Sequence, residues 1–267
     1  MTPQQIVAEA LSRHDRAVVS FSGGKDSVAV LHACRGYEDR VLVMFVDLDD
    51  IPQHVRDYVY NLCEMWGFQL TVVDPPTPIR EYHARVGLPA DIVPIWSTPF
   101  ADGFLAEEDR PATRLISGLE CCARNLWVPM RQAVEDSGTT LLFRGSKKSD
   151  AHVSVTSGTR DGRVEIVNPL WDMTDLDVYN HLAAHGVVLP RHYREGLNTS
   201  WDCLRCTAWL NTPSEVERLE FTKRYYPEAY ADLQIRTQLI WDEIGRRSEE
   251  LVPALKALSD AAPESFR

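Results

Sequence analysis

The chain has 267 residues, of which 44% are hydrophobic and 25% charged, and it carries a net charge of −11 at pH 7. Such a length holds one large domain, or one domain with an extension, and the acidic balance argues against a general nucleic-acid binder, although a local basic groove stays compatible with it. No run reaches the roughly 18 apolar residues of a membrane span, and Met1–Gln5 lacks the basic-then-apolar order of a secretory leader, so a cytoplasmic protein without membrane attachment is expected.

The elements follow in order. Thr2, Pro3 and Gln5 read as a helix start with a capping box. Ala17-Val18-Val19 is a short buried strand. Ser20-Phe21-Ser22-Gly23-Gly24-Lys25-Asp26-Ser27 is a glycine-rich turn, and Val28-Ala29-Val30-Leu31-His32 opens a helix. Two adjacent glycines let the backbone approach a ligand closely. The helix N-terminus and Lys25 together suit phosphate. The spacing is neither that of the common P-loop nor that of the dinucleotide fingerprint.

Arg40–Asp47 is a continuous apolar strand, Gln53–Trp66 a helix closed by Gly67, and Phe68–Asp74 a third strand stopped by Pro75-Pro76. Apolar strands alternating with helices predict a mainly parallel, doubly wound α/β sheet. Asp47, Asp49 and Asp50 cluster at the end of the second strand, the edge where such sheets bind ligands. There they suit ribose or Mg²⁺, or else helix capping. Pro89–Asp109 reads as a long irregular loop or lid. A helix over Cys121–Glu135 and strands at Thr140–Arg144 and Val164–Asn168 follow, with a loop over Ser154–Arg163. Thr174 is an N-cap for the next helix. From Ser214 onward charge-rich helices are expected, interrupted near Pro227.

Six cysteines in a cytoplasmic chain favour thiol, metal or cluster roles over disulfides. Cys121-Cys122 and Cys203-Leu204-Arg205-Cys206 form two short-spaced pairs, able to supply four thiolates to one zinc or iron–sulfur centre. Trp201 and Trp209 flank the second pair, as a shield from water or as ordinary core. Cys34 and Cys63 read as buried small hydrophobes. His181 and His185 share a helix face, but Leu182 stands where a zinc-protease helix has its glutamate, so they read as ordinary helix residues.

Ser22–Ser27 resembles the PP-loop (SGGKDS) of the ATP pyrophosphatase superfamily, whose members split ATP between the α- and β-phosphates. The wider set of motifs resembles the phosphoadenosine phosphosulfate reductase family within it. Cys121-Cys122 followed by Cys203–Cys206 is similar to the iron–sulfur signature of adenylylsulfate reductases. Gly145-Ser146-Lys147-Lys148-Ser149-Asp150 is similar to the family's basic segment, and Ile166–Thr174 to its Asn-Pro-Leu segment.

The resemblance implies an adenine nucleotide α-hydrolase-like catalytic domain over residues 1–210 and a helical extension over 211–267. It implies binding of ATP or a related adenine nucleotide, with Mg²⁺, by Ser20, Ser22, Gly23, Gly24, Lys25, Asp26, Ser27, Asp47, Asp49, Gly118 and Arg144. Lys25, Asp26, Lys147 and Lys148 are the implied catalytic residues. Cys121, Cys122, Cys203 and Cys206 are the implied ligands of a 4Fe–4S cluster, with structural zinc as the alternative. Three departures stand out. No cysteine follows Cys206, where the reductases carry a nucleophilic one. The nucleotide loop is complete where theirs is degenerate. Leu126 replaces a lysine near the cluster, with Arg124 close by.

The expected activity is cleavage of ATP at the α-phosphate coupled to cluster-assisted sulfur chemistry. The acceptor is a small molecule, tRNA or DNA, and a sulfur or electron donor protein and self-association are further expected partners. The alternatives are a sulfonucleotide reductase using a thiol from elsewhere, and a nucleotide or redox sensor.

Overall fold

The computed structural model describes residues 1–150, 157–210 and 215–260. Of the segments expected above, residues 154–156 of the loop, Ser214 and the chain end at 261–267 lie outside the described residues. The elements are α1 (Pro3–Ser12), β1 (Ala17–Ser20), α2 (Lys25–Ala33), β2 (Val41–Val46), α3 (Gln53–Trp66), β3 (Gln69–Val73), α4 (Ile79–Val86), β4 (Leu88–Ala90), β5 (Leu115–Ser117) and α5 (Gly118–Cys122). There follow α6 (Val128–Asp136), β6 (Leu141–Phe143), β7 (Thr159–Asp161), β8 (Val164–Val167), α7 (Asp175–Ala184), α8 (Arg191–Arg194), α9 (Glu215–Tyr225) and α10 (Pro227–Asp260). A π-helical turn, Ala123–Trp127, precedes α6.

The chain forms two compact units. The first is Met1–Pro78 with Ala123–Leu204, and the second Ile79–Cys122 with Arg205–Arg267. The first unit is an α/β structure around a six-stranded sheet of order β3-β2-β1-β6-β8-β7. All neighbours are parallel except β7, which pairs antiparallel with β8 at the edge. That hairpin was not expected. Its strand Thr159–Asp161 is polar and exposed, so it carries no apolar signal, and Gly162 supplies the positive φ of its turn.

The inner strands are apolar on both faces. Ala17, Val18, Val19, Val43 and Phe143 are all buried, as strands covered on both sides require. The chain leaves β1 for β2 on one side, and later returns through β6 on the other. The strand order therefore reverses between β1 and β6, and the C-terminal ends of these two strands frame the crevice where open α/β sheets take ligands.

Local signals set the helix ends. Thr2 Oγ1 accepts from the Gln5 amide at 3.2 Å, and Gln5 Oε1 accepts from the Thr2 amide at 2.8 Å, completing the capping box. Gly67 closes α3 at φ 75°. Thr174 caps α7 in a box with Asp177.

The second unit has a two-stranded parallel sheet, β4-β5, and a core of Ala90, Leu115 and Ile240 packed with Leu88, Val93 and Ile244. The stretch expected as an irregular loop starts inside β4 and folds into 3₁₀ turns at Ile95–Ser97, Pro99–Gly103 and Glu107–Asp109. It is tied to α10, because Ser97 Oγ donates to the buried Glu243 carboxylate at 2.6 Å. No helix among the described residues is long and apolar enough to cross a membrane.

Candidate functional site

β1 delivers the glycine-rich turn. The Phe21 amide donates to Met44 O at 2.9 Å, which extends the pairing with β2 one residue beyond Ser20. Gly23 then turns at φ 75°, and a Cβ there would lie 2.9 Å from Val59 Cγ2 on α3, so only glycine fits both the backbone and the space. Gly24 caps α2 without a side chain. The turn is braced internally: Ser22 Oγ accepts from the Gly24 amide at 3.3 Å, and Ser27 Oγ donates to Gly24 O at 2.9 Å. The Lys25 amide, first of the helix, donates to the phenol of Tyr193 on α8 at 3.2 Å. This is the positive end of a helix dipole held open by small residues, the usual cradle for a phosphate.

The turn after β6 closes on the same place. A Cβ on Gly145 would stand 3.0 Å from the Asp26 carbonyl carbon and 3.0 Å from the Ser27 nitrogen. That contact carries the buried Lys147 into the site. Lys147 Nζ lies 3.0 Å from Asp26 Oδ1, 3.0 Å from Asp150 Oδ1 and 3.3 Å from Asp175 Oδ1. Lys25 Nζ lies 2.8 Å from Asp26 Oδ2 and 3.1 Å from Asp175 Oδ1, with the Tyr179 ring 5.9 Å away. Two buried ammonium groups and three carboxylates thus meet where β1, β6 and α7 converge. Burial alone would lower the pKa of Lys147, but its bonds to Asp26 and Asp150 outweigh that and hold it raised. Burial would raise the Asp175 carboxyl, yet the bond to Lys25 holds it lowered. Both shifts favour the charged forms of Lys147 and Asp175.

Of the implied catalytic residues, Lys25, Asp26 and Lys147 come together. Lys148 is exposed and takes no part in the ion pairs given above, and its amide donates to Trp171 O at 2.8 Å. Ser20 and Ser22 sit at the strand end and in the turn. Arg144 is half-buried beside β8, its amide donating to Val167 O at 3.1 Å, and burial lowers its pKa. Asp47 is engaged by Arg56 on α3, at 2.7 Å to each carboxylate oxygen, and Oδ1 also accepts from the Asp49 amide at 3.0 Å. Asp49 has φ 58°, the left-handed region that aspartate tolerates better than most residues. Asp150 ends the basic segment Gly145–Asp150. Asp175, Tyr179 and Tyr193 had no sequence signal as site residues; only the helix cap at Thr174 placed Asp175 at an N-terminus.

In the second unit, Gly118 opens α5. A Cβ there would lie 2.6 Å from Ala208 Cβ, so the glycine lets the segment after Cys206 pack on the helix that carries Cys121 and Cys122. Cys121 is buried, with Sγ 3.3 Å from His83 Nε2. Arg236 holds the other ring nitrogen of His83 at 3.0 Å. A guanidinium only donates, so His83 Nδ1 accepts and Nε2–H points at the sulfur. Arg236 and Arg205 both pair with Asp232, at 3.0 and 3.1 Å. Cys122 and Cys206 are half-buried, and Arg218 donates to Cys206 O at 3.0 Å. Cys203 belongs to the first unit. None of the six cysteines is in a disulfide. Cys34 and Cys63 are buried, and burial raises both thiols, Cys63 to about 11.

The phosphoadenosine phosphosulfate reductase domain matches residues 16–209. The chain belongs to this family. Among solved structures, the phosphoadenylyl-sulfate reductase from Candida auris, in a phosphate complex, is 13% identical with a TM-score of 0.52, over 75% of this chain and 87% of that one. FMN adenylyltransferase from Candida glabrata, in complex with ATP, is 12% identical with a TM-score of 0.50, over 74% of this chain and 58% of that one. At these identities the likeness is one of fold alone. No curated protein matches by sequence. The reductase-domain match takes in the glycine turn, Lys147, Asp175 and both cysteine pairs.

Proposed function

We propose that this protein binds ATP or a related adenine nucleotide at Ser22–Ser27, breaks it at the α-phosphate, and couples that step to sulfur chemistry. The observation that supports this reading best is the placement of Lys25 and Lys147 on one carboxylate cluster beside an intact SGGKDS turn. In the step, an acceptor nucleophile bonds to the α-phosphorus. The α,β-bridging P–O bond breaks, and pyrophosphate leaves with the electron pair. The turn amides and the two ammonium groups stabilise the charge that grows on the leaving phosphates. A reduced sulfur donor then displaces AMP from the activated acceptor.

Mg²⁺ takes carboxylate and phosphate oxygens; carried in with the nucleotide and met by Asp26, Asp150 or Asp175, it would neutralise phosphate oxygens. For a 4Fe–4S cluster, the soft thiol set of Cys121, Cys122 and Cys206 and the N–H of His83 aimed at sulfur fit the donor chemistry. By the family resemblance of the C-x-x-C pair, Cys203 would be the fourth ligand. With all four irons held by cysteine, such a cluster would position the substrate electrostatically or take part in sulfur transfer. His83 would orient the Cys121 sulfur, and Arg236 would fix the His83 tautomer.

The test is anaerobic incubation with α- and γ-labelled ATP across small-molecule, tRNA and DNA acceptors. AMP and pyrophosphate in equal amounts are expected, and their absence with every acceptor overturns the reading. Iron and sulfide near four per chain, with little zinc, are expected for the cluster. The family match favours a second reading, reduction of an activated sulfate, in which the attacking thiol comes from a partner, since Cys34 and Cys63 are buried with raised thiols. Sulfite release with added thiol, without ATP, would select it.

A further inference from the structure

α2 and α7 run side by side in the same direction. Lys25 and Asp175, their first residues, form an ion pair, and near their last residues His32 meets His181. His32, His181 and the α7 C-cap His185 each place one ring nitrogen so that all three lie within 4.8 Å of one another. His32 Nδ1 and His181 Nε2 are 3.0 Å apart. The ring planes are inclined at 75° for His32–His181, 53° for His32–His185 and 43° for His181–His185, so the rings converge without stacking flat. Among the described residues no other three histidine, cysteine or acidic side chains converge in this way.

Several features favour a cation here. Zinc–imidazole bonds of about 2.0–2.1 Å place tetrahedral ligand nitrogens roughly 3.3 Å apart. The His32–His181 pair is already near that spacing. His185 is exposed and can close the remaining gap by a small turn of its ring. Its Nδ1 lies 2.7 Å from His181 O. A carbonyl only accepts, so this nitrogen carries the proton and Nε2 keeps its lone pair. That is the outer hydrogen bond that fixes the tautomer of metal-bound histidines. The negative dipole ends of both helices lie at this point.

We propose that His32, His181 and His185 bind Zn²⁺, with water as the fourth ligand, and so clamp the C-terminal ends of α2 and α7. Imidazoles select zinc and its transition-metal neighbours over Mg²⁺ or Ca²⁺. The site is distinct from the cysteine pairs and shares no ligand with them. It stands about 10 Å along α2 from Lys25, at 1.5 Å per residue. The clamp would fix the register of the two helices that carry Lys25 and Asp175.

Co²⁺ titration of the full chain, with Zn²⁺ competition, tests this. One equivalent is expected to give visible d–d bands without a sulfur-to-cobalt charge-transfer band, and Zn²⁺ should displace it. This equivalent should bind at least 10-fold more weakly in H181Q and in H185Q, and unchanged in C121S. Zn²⁺ should raise the Tm of the wild type and leave that of H185Q unmoved. His185 is exposed, so H185Q is expected to keep the wild-type circular dichroism. Equal cobalt affinity in the wild type and H185Q, or charge-transfer absorption for all bound cobalt, would overturn the proposal. Neither result bears on ATP cleavage, because no histidine of this triplet touches the glycine turn.

Discussion

The ammonium groups of Lys25 and Lys147 share one oxygen, Asp175 Oδ1, at 3.1 and 3.3 Å. One lysine comes from the turn after β1 and the other from the turn after β6, so the shared oxygen ties the two sides of the strand-order reversal. Asp26 bridges the same pair through its two oxygens. Without a ligand, two positive charges face three negative ones. A polyphosphate must therefore enter with a cation or displace a carboxylate.

Removing Lys147 tests this balance. K147M leaves Asp26, Asp150 and Asp175 with a single lysine. Losing one partner of a fully buried pair costs roughly 3–5 kcal/mol, but these carboxylates are partly exposed, so about 1–2 kcal/mol is expected. Urea unfolding at pH 7 measures it. ATP affinity should fall about 10- to 100-fold in K147M and in K25M, on the scale of roughly 1.4 kcal/mol per tenfold change. K148M should change both quantities little, because Lys148 is exposed outside the cluster. A loss of ATP binding in K148M equal to that in K147M would show that Lys148 acts on the nucleotide alongside Lys147.

Tyr193 occupies the Lys25 amide with its phenol oxygen. A phosphate oxygen would use the same N–H. Burial raises the phenol pKa, so the group stays neutral and yields to an anion. In Y193F the amide loses its partner, at a cost of about 1 kcal/mol of stability. Pyrophosphate should then bind several-fold more tightly, and it should stabilise Y193F more than the wild type. Calorimetry with pyrophosphate reads this directly; weaker binding in Y193F would instead make the phenol a ligand of the phosphate.

Gly145 is the point where the second turn presses on the first. In G145A the new Cβ meets backbone atoms of Asp26 and Ser27 at 3.0 Å, and neither can rotate away. The strain falls on the α2 N-terminus. Nucleotide affinity should drop at least tenfold while stability falls by only about 1–2 kcal/mol. G138A is a useful contrast. It introduces no clash and pays only for its positive φ, and it should leave nucleotide affinity intact.

The sequence made the sheet and the turn legible because the signals are local. Ala17–Val19 and Val41–Val46 are continuous apolar runs, and Gly23-Gly24 before Lys25 marks the phosphate turn within a few residues. Thr2, Gly67 and Thr174 each end or begin a helix through contacts no more than five residues away. The rest depends on distant pairing. Asp175 reaches Lys25 only because β8 lies two strands from β1. His181 and His185 looked like ordinary helix residues because their third partner, His32, is on the glycine-turn helix. β7 and α8 are short and mostly polar, so no periodicity announces them. His83 reaches Cys121, and Arg236 reaches His83, over sequence separations that spacing rules do not cover.

Buried histidines set the final prediction, the response of stability to acid. Burial, reinforced by Arg236, lowers His83 to about 4, and burial, reinforced by His54, lowers His192 to about 3. His54 and His32 are also lowered to about 4, but both are only half-buried. In the unfolded chain each histidine protonates near 6.5. The unfolded state therefore binds more protons than the folded one below that value, and stability must fall as pH drops from 6.5 toward 4. Asp175 and Glu165 are held below their ordinary values, so their contribution is lost only at lower pH. Asp202 is raised by burial and works in the opposite sense, one group against several. Counting only His83 and His192, a loss of about 2 kcal/mol is expected between pH 6.5 and 5.5, from about 1.4 kcal/mol per proton and pH unit at full difference. Urea unfolding in the presence of a chelator, at several pH values, measures the slope, and hydrogen exchange separates the first unit, which holds His192, from the second, which holds His83. H192Q should flatten the slope of the first unit and H83Q that of the second. Equal stability at pH 6.5 and 5.5 would show that these rings take up protons as readily in the folded protein as in the unfolded chain, which at pH 5.5 would also remove the acceptor that Arg236 needs on His83.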